Sequence, residues 1–238
     1  MYRNFVKRIS DLILSLVGIV VLAIPMLIIS LAIVIDDPGP VLFKQKRVGK
    51  KKNGQITYFN LYKYRSMKVS APHNVPTHLL EDPEKYITRV GKILRKTSLD
   101  ELPQIYQIFI GKMSIIGPRP ALWNQDDLIS EREKYGANDV SPGLTGWAQI
   151  NGRDEIEIPV KAKLDGEYSD CLKKGGVKAF GMDCKCFFKT IFSVLKRDGV
   201  VEGGTGELNR KNTNTDAGEK AEAEGKRIEA EKDIDYRR

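Results

Sequence analysis

Apolar residues run almost unbroken from Leu12 to Ile35, interrupted by Ser15, Gly18, Pro25 and Ser30 and closed by Asp36-Asp37. As a helix this stretch is about 36 Å long at 1.5 Å per residue, enough to cross a bilayer. It is too long for a secretory signal peptide or an ordinary core helix, and no small-residue cleavage site follows it. The pattern predicts membrane insertion. Arg3, Lys7 and Arg8 precede it, and Lys44, Lys46, Arg47 and Lys50 to Lys52 follow it. The positive-inside rule places both flanks in the cytoplasm. Pro25 removes a backbone hydrogen bond near the middle and favours a kink. A helix that enters, bends at Pro25 and returns accounts for both features. A simple spanning helix stays open, because prolines are tolerated in transmembrane segments.

Beyond Asp36-Asp-Pro-Gly-Pro40 the periodicity changes. Val41 to Val48 and Ile56 to Tyr62 read as two short strands around a basic turn from Gly49 to Gly54. The stretch 73–84 reads as a loop, Tyr86 to Leu94 as a helix, and Pro103 to Gly111 as a segment apolar around much of its circumference. Pro142 to Trp147 reads as a turn-rich connector and Val160 to Asp170 as a helix. Cys184 to Lys196 gathers Phe187, Phe188, Ile191, Phe192 and Leu195 on one helical face, with Lys185, Lys189 and Lys196 elsewhere. Such a helix suits a membrane interface or a soluble core; on a chain already tethered, the interface is the preferred reading. Thr205 to Arg238 is too polar to pack and is expected to be disordered. The expected fold is therefore α+β and mainly helical. Residues 1–36 form a re-entrant membrane-anchoring helix, 37–204 a compact αβ domain with interfacial amphipathic helices, and 205–238 a tail.

Charge narrows the partners. The 238 residues carry a formal charge of +8, yet the tail from Thr205 has eight Lys/Arg against nine Asp/Glu, so the excess sits on the body. A basic body faces something anionic: nucleic acid, lipid headgroups or phosphorylated substrates. No nucleic-acid reading module or aromatic-studded basic stripe is present, so nucleic acid is not an expected partner. Three cysteines (Cys171, Cys184, Cys186) form neither a disulfide framework nor a zinc pattern, and His73 and His78 are separated by a segment containing Pro76.

Candidate chemistry concentrates in Arg95-Lys-Thr-Ser-Leu-Asp-Glu-Leu-Pro-Gln104. Asp100 and Glu101 are adjacent carboxylates just after a basic pair. Cations hold phosphate oxygens while one carboxylate attacks and the other moves a proton or helps hold a metal. A start of helix near Asp100 would also present free N–H groups to a phosphate. The competing reading is local: Ser98-x-x-Glu101 fits a capping box in which Glu101 only bonds back to a backbone N–H. Downstream, Gly117-Pro-Arg-Pro120 holds Arg119 on a stiff backbone.

Five short patterns occur together: Gln45-x-Arg47-x-Gly49, Phe59-x-x-x-Lys63-Tyr-Arg65-Ser-Met67, Arg95 to Gln104, Gly111-x-Met-Ser-x-x-Gly-Pro-Arg119-Pro120, and Pro142-Gly-Leu-Thr-Gly-Trp-Ala-Gln-Ile-Asn-Gly-Arg153. In this order the chain resembles the bacterial sugar transferases, small monotopic phosphoglycosyl transferases acting on polyprenol phosphate. The resemblance runs from the membrane segment through Lys196-Arg-Asp-Gly199. It implies transfer of a sugar 1-phosphate from a UDP-sugar to undecaprenyl phosphate, with release of UMP and a requirement for Mg²⁺. This is the first membrane step of bacterial glycan assembly, at the cytoplasmic face of the inner membrane, and downstream membrane glycosyltransferases are candidate partners. Asp100 matches the nucleophile that carries the phosphosugar and is also the candidate metal ligand; Glu101 matches its partner. Lys63, Arg65, Arg95, Gln104 and Arg119 are the substrate-binding candidates.

Gln107 and Lys112 depart from the resemblance, which has Asn and an acidic residue there. Sugar specificity is assigned to the loops around 73–84 and 124–139. Two rival functions stay open. A direct-transfer glycosyltransferase releasing UDP would use Asp36-Asp37 or Asp126-Asp127 as metal ligands. A non-catalytic membrane adaptor would leave the dyad and its arginines without a purpose.

Overall fold

The computed structural model describes residues 2–71, 83–152 and 156–196. The loop at 73–82, Arg153, residues 197–199 of the last matching segment and the tail from Thr205 lie outside the described residues. Within them the protein is mainly helical with two small sheets.

A short π-helical turn (Tyr2–Val6) leads into α1 (Lys7–Asp36), which continues as helix through Pro25. Its serines satisfy themselves inside the helix: Ser15 Oγ donates to Asp11 O at 2.6 Å and Ser30 Oγ to Met26 O at 2.7 Å. Neither hydroxyl therefore needs water. Lys7, Asp11, Ser15, Met26 and Ile33 are buried, Gly18 lies against Ile105, and Leu22 and Ile29 pack on the same core. These positions recur every three or four residues, so one stripe of α1 faces the body along most of its length. The opposite face, including Val20, Ile24, Leu27, Ile28 and Ile35, is exposed.

Both ends of α1 are fastened to the same body. Near its start, Arg8 donates to Ile108 O and Phe109 O at 2.7 and 2.6 Å, and Asp11 accepts from Ser114 Oγ and Ile115 N at 2.7 and 2.9 Å. Lys7 pairs with the buried Asp183 at 2.9 Å, a carboxylate that also accepts from Tyr2 and Tyr168. At the far end Asp36 accepts from Val90 N at 2.8 Å, and Asp37 holds Arg65 and Val69 N.

Strands β1 (Leu42–Val48) and β2 (Tyr58–Tyr64) pair antiparallel, Leu42 opposite Tyr64 and Val48 opposite Tyr58. The hairpin closes through Asn53 and Gly54, both at positive φ, as a tight two-residue turn requires. These strands lie within two residues of their expected positions. Helix α2 (Arg89–Thr97) starts on a Thr88 cap whose Oγ1 accepts from Gly91 N. It is shifted three residues toward the C-terminus from its expected place. Ser98 follows it in the left-handed region, a 3-10 turn covers Leu99–Glu101, and α3 (Gln104–Phe109) comes after Pro103.

Two expectations fail here. Gly143–Thr145, read as a connector, is strand β4, parallel to β3 (Ser114–Ile116), with Ser114 opposite Gly143 and Ile116 opposite Thr145. Residues 124–139, read as loop, contain α4 (Asp126–Lys134), because Leu128 and Arg132 turn one face inward. Glycine explains the first surprise. A Cβ on Gly143 would fall 2.1 Å from Gly117 N, and one on Gly146 would fall 2.1 Å from Gly117 O. The two backbones approach so closely that no side chain fits between them, and hydrophobic alternation cannot mark such strands.

Helices α5 (Trp147–Gly152), α6 (Ile158–Lys174) and α7 (Gly176–Lys196) complete the body. The main core joins Ile116, Val140, Tyr168, Leu172, Ala179 and Cys186. On α7, Ala179, Asp183 and Cys186 turn inward with Phe187 beside them, while Phe180, Phe188, Ile191 and Phe192 are exposed. Phe187 thus leaves the face assigned to it, and Phe180 joins that face instead. The three cysteines are free. Between α4 and α6, Arg132 and Asp165 form a buried ion pair at 2.6 and 2.8 Å. Removing one member strands the other charge without water. Arg132→Ala is expected to destabilise the folded protein by roughly 3–5 kcal/mol, measured as denaturant unfolding of the detergent-solubilised chain.

Candidate active site

The dyad sits on the link between α2 and α3, below the end of β2. Asp100 is 2% exposed. Phe59, Leu61 and Lys63 alternate along one face of β2, which carries the Lys63 amine inward. Lys63 Nζ lies 2.9 Å from Glu101 Oε1 and 3.6 Å from Asp100 Oδ2. Arg119 also holds Glu101, at 2.7 Å to the same Oε1 and 3.4 Å to Oε2. Burial alone would push the Glu101 carboxyl up; the Arg119 and Lys63 charges and their hydrogen bonds outweigh it and hold the group well below the usual carboxylate range.

This geometry decides against the capping box. Ser98 is left-handed, with φ 55°, and its side chain caps nothing. Glu101 turns away from the backbone toward two cations. The helix-start expectation also changes: the carboxylates occupy a three-residue 3-10 turn before a six-residue helix, so no long helix N-terminus points at them.

The remaining candidates divide. Arg119 is set by its neighbours: Arg47 donates to Pro120 O at 3.0 Å, Val48 N donates to Ala121 O at 2.9 Å, and Gly117 N donates to Thr145 O at 2.8 Å. Gln45 accepts from Arg47 at 2.6 Å, so the Gln45-x-Arg47 pattern serves as a brace for the Gly-Pro-Arg-Pro segment. Arg95 donates to Ser66 Oγ at 2.8 Å, which holds the last turn of α2 against the segment that follows β2. Gln104 is 2% exposed and its Nε2 makes no hydrogen bond among the described residues. A buried donor left without an acceptor is costly, and an anionic oxygen would satisfy it.

Arg65 is not brought to this cluster. Its guanidinium bonds Asp37 through the carboxylate and the carbonyl, and Pro40 O at 2.6 Å, so it anchors the end of α1. Gln107 also has a local task, accepting from Tyr62 N at 3.0 Å and donating to Asn60 O at 2.6 Å along β2. Lys112 is exposed. The sequence reading missed the polar foot of α1. Its signal was present: Lys7, Asp11 and Ser15 recur every four residues at the start of an apolar helix.

Among the described residues no group of three or more His, Cys, Asp or Glu side chains is arranged to hold a metal. Asp36 and Asp37 are engaged with Val90, Arg65 and Val69, and Asp127 Oδ1 accepts from Leu128 N at 2.7 Å. Ile93, Leu99, Tyr106 and Ile110, on the elements that flank the dyad in the chain, are exposed apolar side chains.

A buried acidic pair clamped by cations, in a body packed against a long apolar helix with an exposed outer face, defines a class: a membrane-associated protein with a site suited to an anionic substrate. The chain belongs to the bacterial sugar transferase family, which it matches over residues 2–197. It is 36% identical over 194 residues to the UDP-glucose:undecaprenyl-phosphate glucose-1-phosphate transferase of Escherichia coli K12, covering 80% of this chain and 40% of that protein. It is 36% identical over 201 residues to the exopolysaccharide production protein PSS of Rhizobium leguminosarum, covering 80% and 96%. The N-acetylgalactosaminephosphotransferase of Aeromonas hydrophila, acting between UDP-N-acetylgalactosamine and undecaprenyl phosphate by its name, is 34% identical over 199 residues, covering 80% and 44%. The chain thus spans about two fifths of the first and third of these relatives.

The depressed Glu101 pKa fixes a sign. The folded state holds the ionised form, so the stability it contributes is present above the unfolded pKa of about 4.3 and is lost as pH falls further. The stability difference between wild type and Glu101→Gln is expected to stay flat from pH 8 to about pH 5 and to shrink below about pH 4. Thermal unfolding in a pH series measures it.

Proposed function

We propose that this chain transfers a sugar 1-phosphate from a UDP-sugar to undecaprenyl phosphate and releases UMP, as the first membrane step in building a bacterial polysaccharide. The observation that carries the reading is Asp100, buried against Lys63 and next to a Glu101 already neutralised by Lys63 and Arg119. The names of the relatives point to the same two substrates.

In the first step an Asp100 carboxylate oxygen attacks the sugar-bearing phosphorus. A new P–O bond forms to Asp100, the P–O bond of the diphosphate bridge breaks, and UMP leaves with the bridging oxygen. In the second step a phosphate oxygen of undecaprenyl phosphate attacks the same phosphorus and frees the carboxylate. Like-charge repulsion opposes the first attack, and the cations around the dyad oppose that repulsion. Glu101 acts as a clamp that holds Lys63 and Arg119 in place. A group ionised so far into acid is a weak base at neutral pH. The unsatisfied Gln104 Nε2 suits a diphosphate oxygen.

Mg²⁺ fits as an ion carried mostly by substrate phosphates and water, with Asp100 as its protein ligand, since Glu101 is committed to two cations. When bound it neutralises phosphate charge and eases departure of UMP.

The tether follows from the acceptor. Among the described residues α1 is the one helix long and apolar enough to cross a membrane. Attachment of both its ends to one body supports a re-entrant segment, with both termini on the cytoplasmic face and the outer face of α1 in lipid. The exposed aromatic residues of α7 and the exposed apolar side chains of α2 and α3 suit the same interface.

Two measurements test these readings. Wild-type protein given UDP-sugar alone is expected to release UMP and to carry a phosphosugar on the peptide containing Asp100. Asp100→Asn abolishes both, and Arg119→Gln lowers turnover by roughly 10²–10³-fold. Release of UDP, or absence of any adduct with both substrates required together, rejects the covalent route. In a background lacking Cys171, Cys184 and Cys186, single cysteines near residues 4 and 40 are expected to be labelled only from the cytoplasmic side. Labelling of one of them from the periplasm establishes a spanning helix instead.

A further inference from the structure

At the foot of α1 lies a second cationic cavity, of about 70 Å³, whose lining includes Arg3, Lys7, Arg8, Asp11, Lys50 and Ser141. It is separate from the dyad: Arg8 binds the carbonyls at the C-terminal end of α3, and the dyad precedes the N-terminal end of that helix. The six residues of α3 put about 9 Å of helix between them.

Its charges are unbalanced. Lys7 is matched by Asp183, and Asp11 supplies one further negative charge. Arg3 and Arg8 donate to carbonyl oxygens of Asp139, Ile108 and Phe109, which satisfy geometry without cancelling charge. The Asp139 carboxylate faces Lys51 and Lys173 at 3.7 and 3.5 Å. Lys50 is half-buried; its carbonyl accepts from Thr57 Oγ1 at 2.7 Å, while its side-chain amine has no hydrogen bond or ion pair among the described residues. Its pKa is lowered by burial first and then by Arg3 and Lys52, against a smaller opposing pull from Asp139. An anion in the cavity would relieve that repulsion.

We propose that this cavity binds a single phosphoryl group, supplied by a phospholipid headgroup or by free phosphate, with Lys50, Arg3 and Arg8 as its cationic ligands. At about 70 Å³ the cavity is small, a size that suits a single phosphoryl group. Gly111 keeps one wall open: it stands at φ +78°, and an added Cβ would meet the Arg8 guanidinium at 3.3 Å. Phe5 and Ile9, close to Lys7 and Arg8 in the chain, are exposed apolar side chains, a combination of apolar and cationic groups that suits a lipid headgroup. The proposal does not depend on the transferase reading, because no dyad residue takes part.

The test uses the full chain and no activity readout. Wild type, Lys50→Gln, Lys50→Arg and Asp100→Asn are taken from nanodiscs of phosphatidylcholine with phosphatidylglycerol, and retained phospholipid is counted by native mass spectrometry. In parallel, the detergent-solubilised proteins are titrated with inorganic phosphate against chloride at matched ionic strength, by calorimetry. Loss of one charge-assisted hydrogen bond is expected to weaken binding by about tenfold or more in Lys50→Gln, while Lys50→Arg and Asp100→Asn retain it. Retention of one phospholipid identifies the headgroup as the source; saturable binding of phosphate alone identifies the free ion. If Lys50→Gln is folded by circular dichroism and matches wild type in both arms, the proposal is overturned. It is equally overturned if Lys50→Arg loses binding as fully as Lys50→Gln, or if wild type binds neither probe.

Discussion

Glu101 reaches two cations that come from different parts of the chain, Lys63 on β2 and Arg119 beyond β3. The rest of the site hangs on that bridge. Burying a carboxylate costs several kcal/mol, and one cation at good geometry roughly offsets it. Two cations tip the balance, which is why the carboxyl stays ionised far into acid. The same bridge fixes the hairpin to the Gly-Pro-Arg-Pro segment and leaves Asp100, one residue earlier, buried with Lys63 at a looser 3.6 Å. The neighbouring carboxylates therefore occupy different electrostatic situations. One is a clamp, and the other is suited to the proposed attack.

Around this centre, the braces are backbone contacts more than side-chain packing. Arg47 holds Pro120 O, and Gly117, Gly143 and Gly146 let two segments cross at backbone distance. Arg119 thus projects from a frame with little freedom. Helix α1 extends the frame outward: Arg8 binds the last carbonyls of α3, and Arg65 binds its far end through Asp37. Helix α1 and the site form one packed unit, so the position of the dyad relative to α1 is set by protein contacts. A flexible tether would leave that position to chance.

The sequence made the long apolar helix, the hairpin and the clustering of acids with bases legible because each has a local signature: length, alternation, or two adjacent acids beside two bases. Where it misled, the deciding interaction was non-local. Ser98 and Glu101 have capping-box spacing, yet the distant Arg119 and Lys63 take the Glu101 side chain. Arg65 shares a motif with Lys63, but Asp37, twenty-eight residues earlier, claims it. Strand β4 carries glycine where a strand pattern needs apolar side chains, so a connector was the natural reading. Polar residues at the start of α1 looked like a topology signal and proved also to be ligands of the body.

The central claim, that Glu101 and Arg119 act as one unit holding the site, is tested most directly by a double-mutant cycle. Glu101→Gln, Arg119→Gln and the double variant are compared in turnover of a UDP-sugar with undecaprenyl phosphate in reconstituted membranes. If the two side chains form one clamp, the double variant is no slower than the slower single one, with a coupling energy toward the upper end of about 0.5–3 kcal/mol. If the two losses simply add, each residue serves the substrate separately, and the clamp is contradicted.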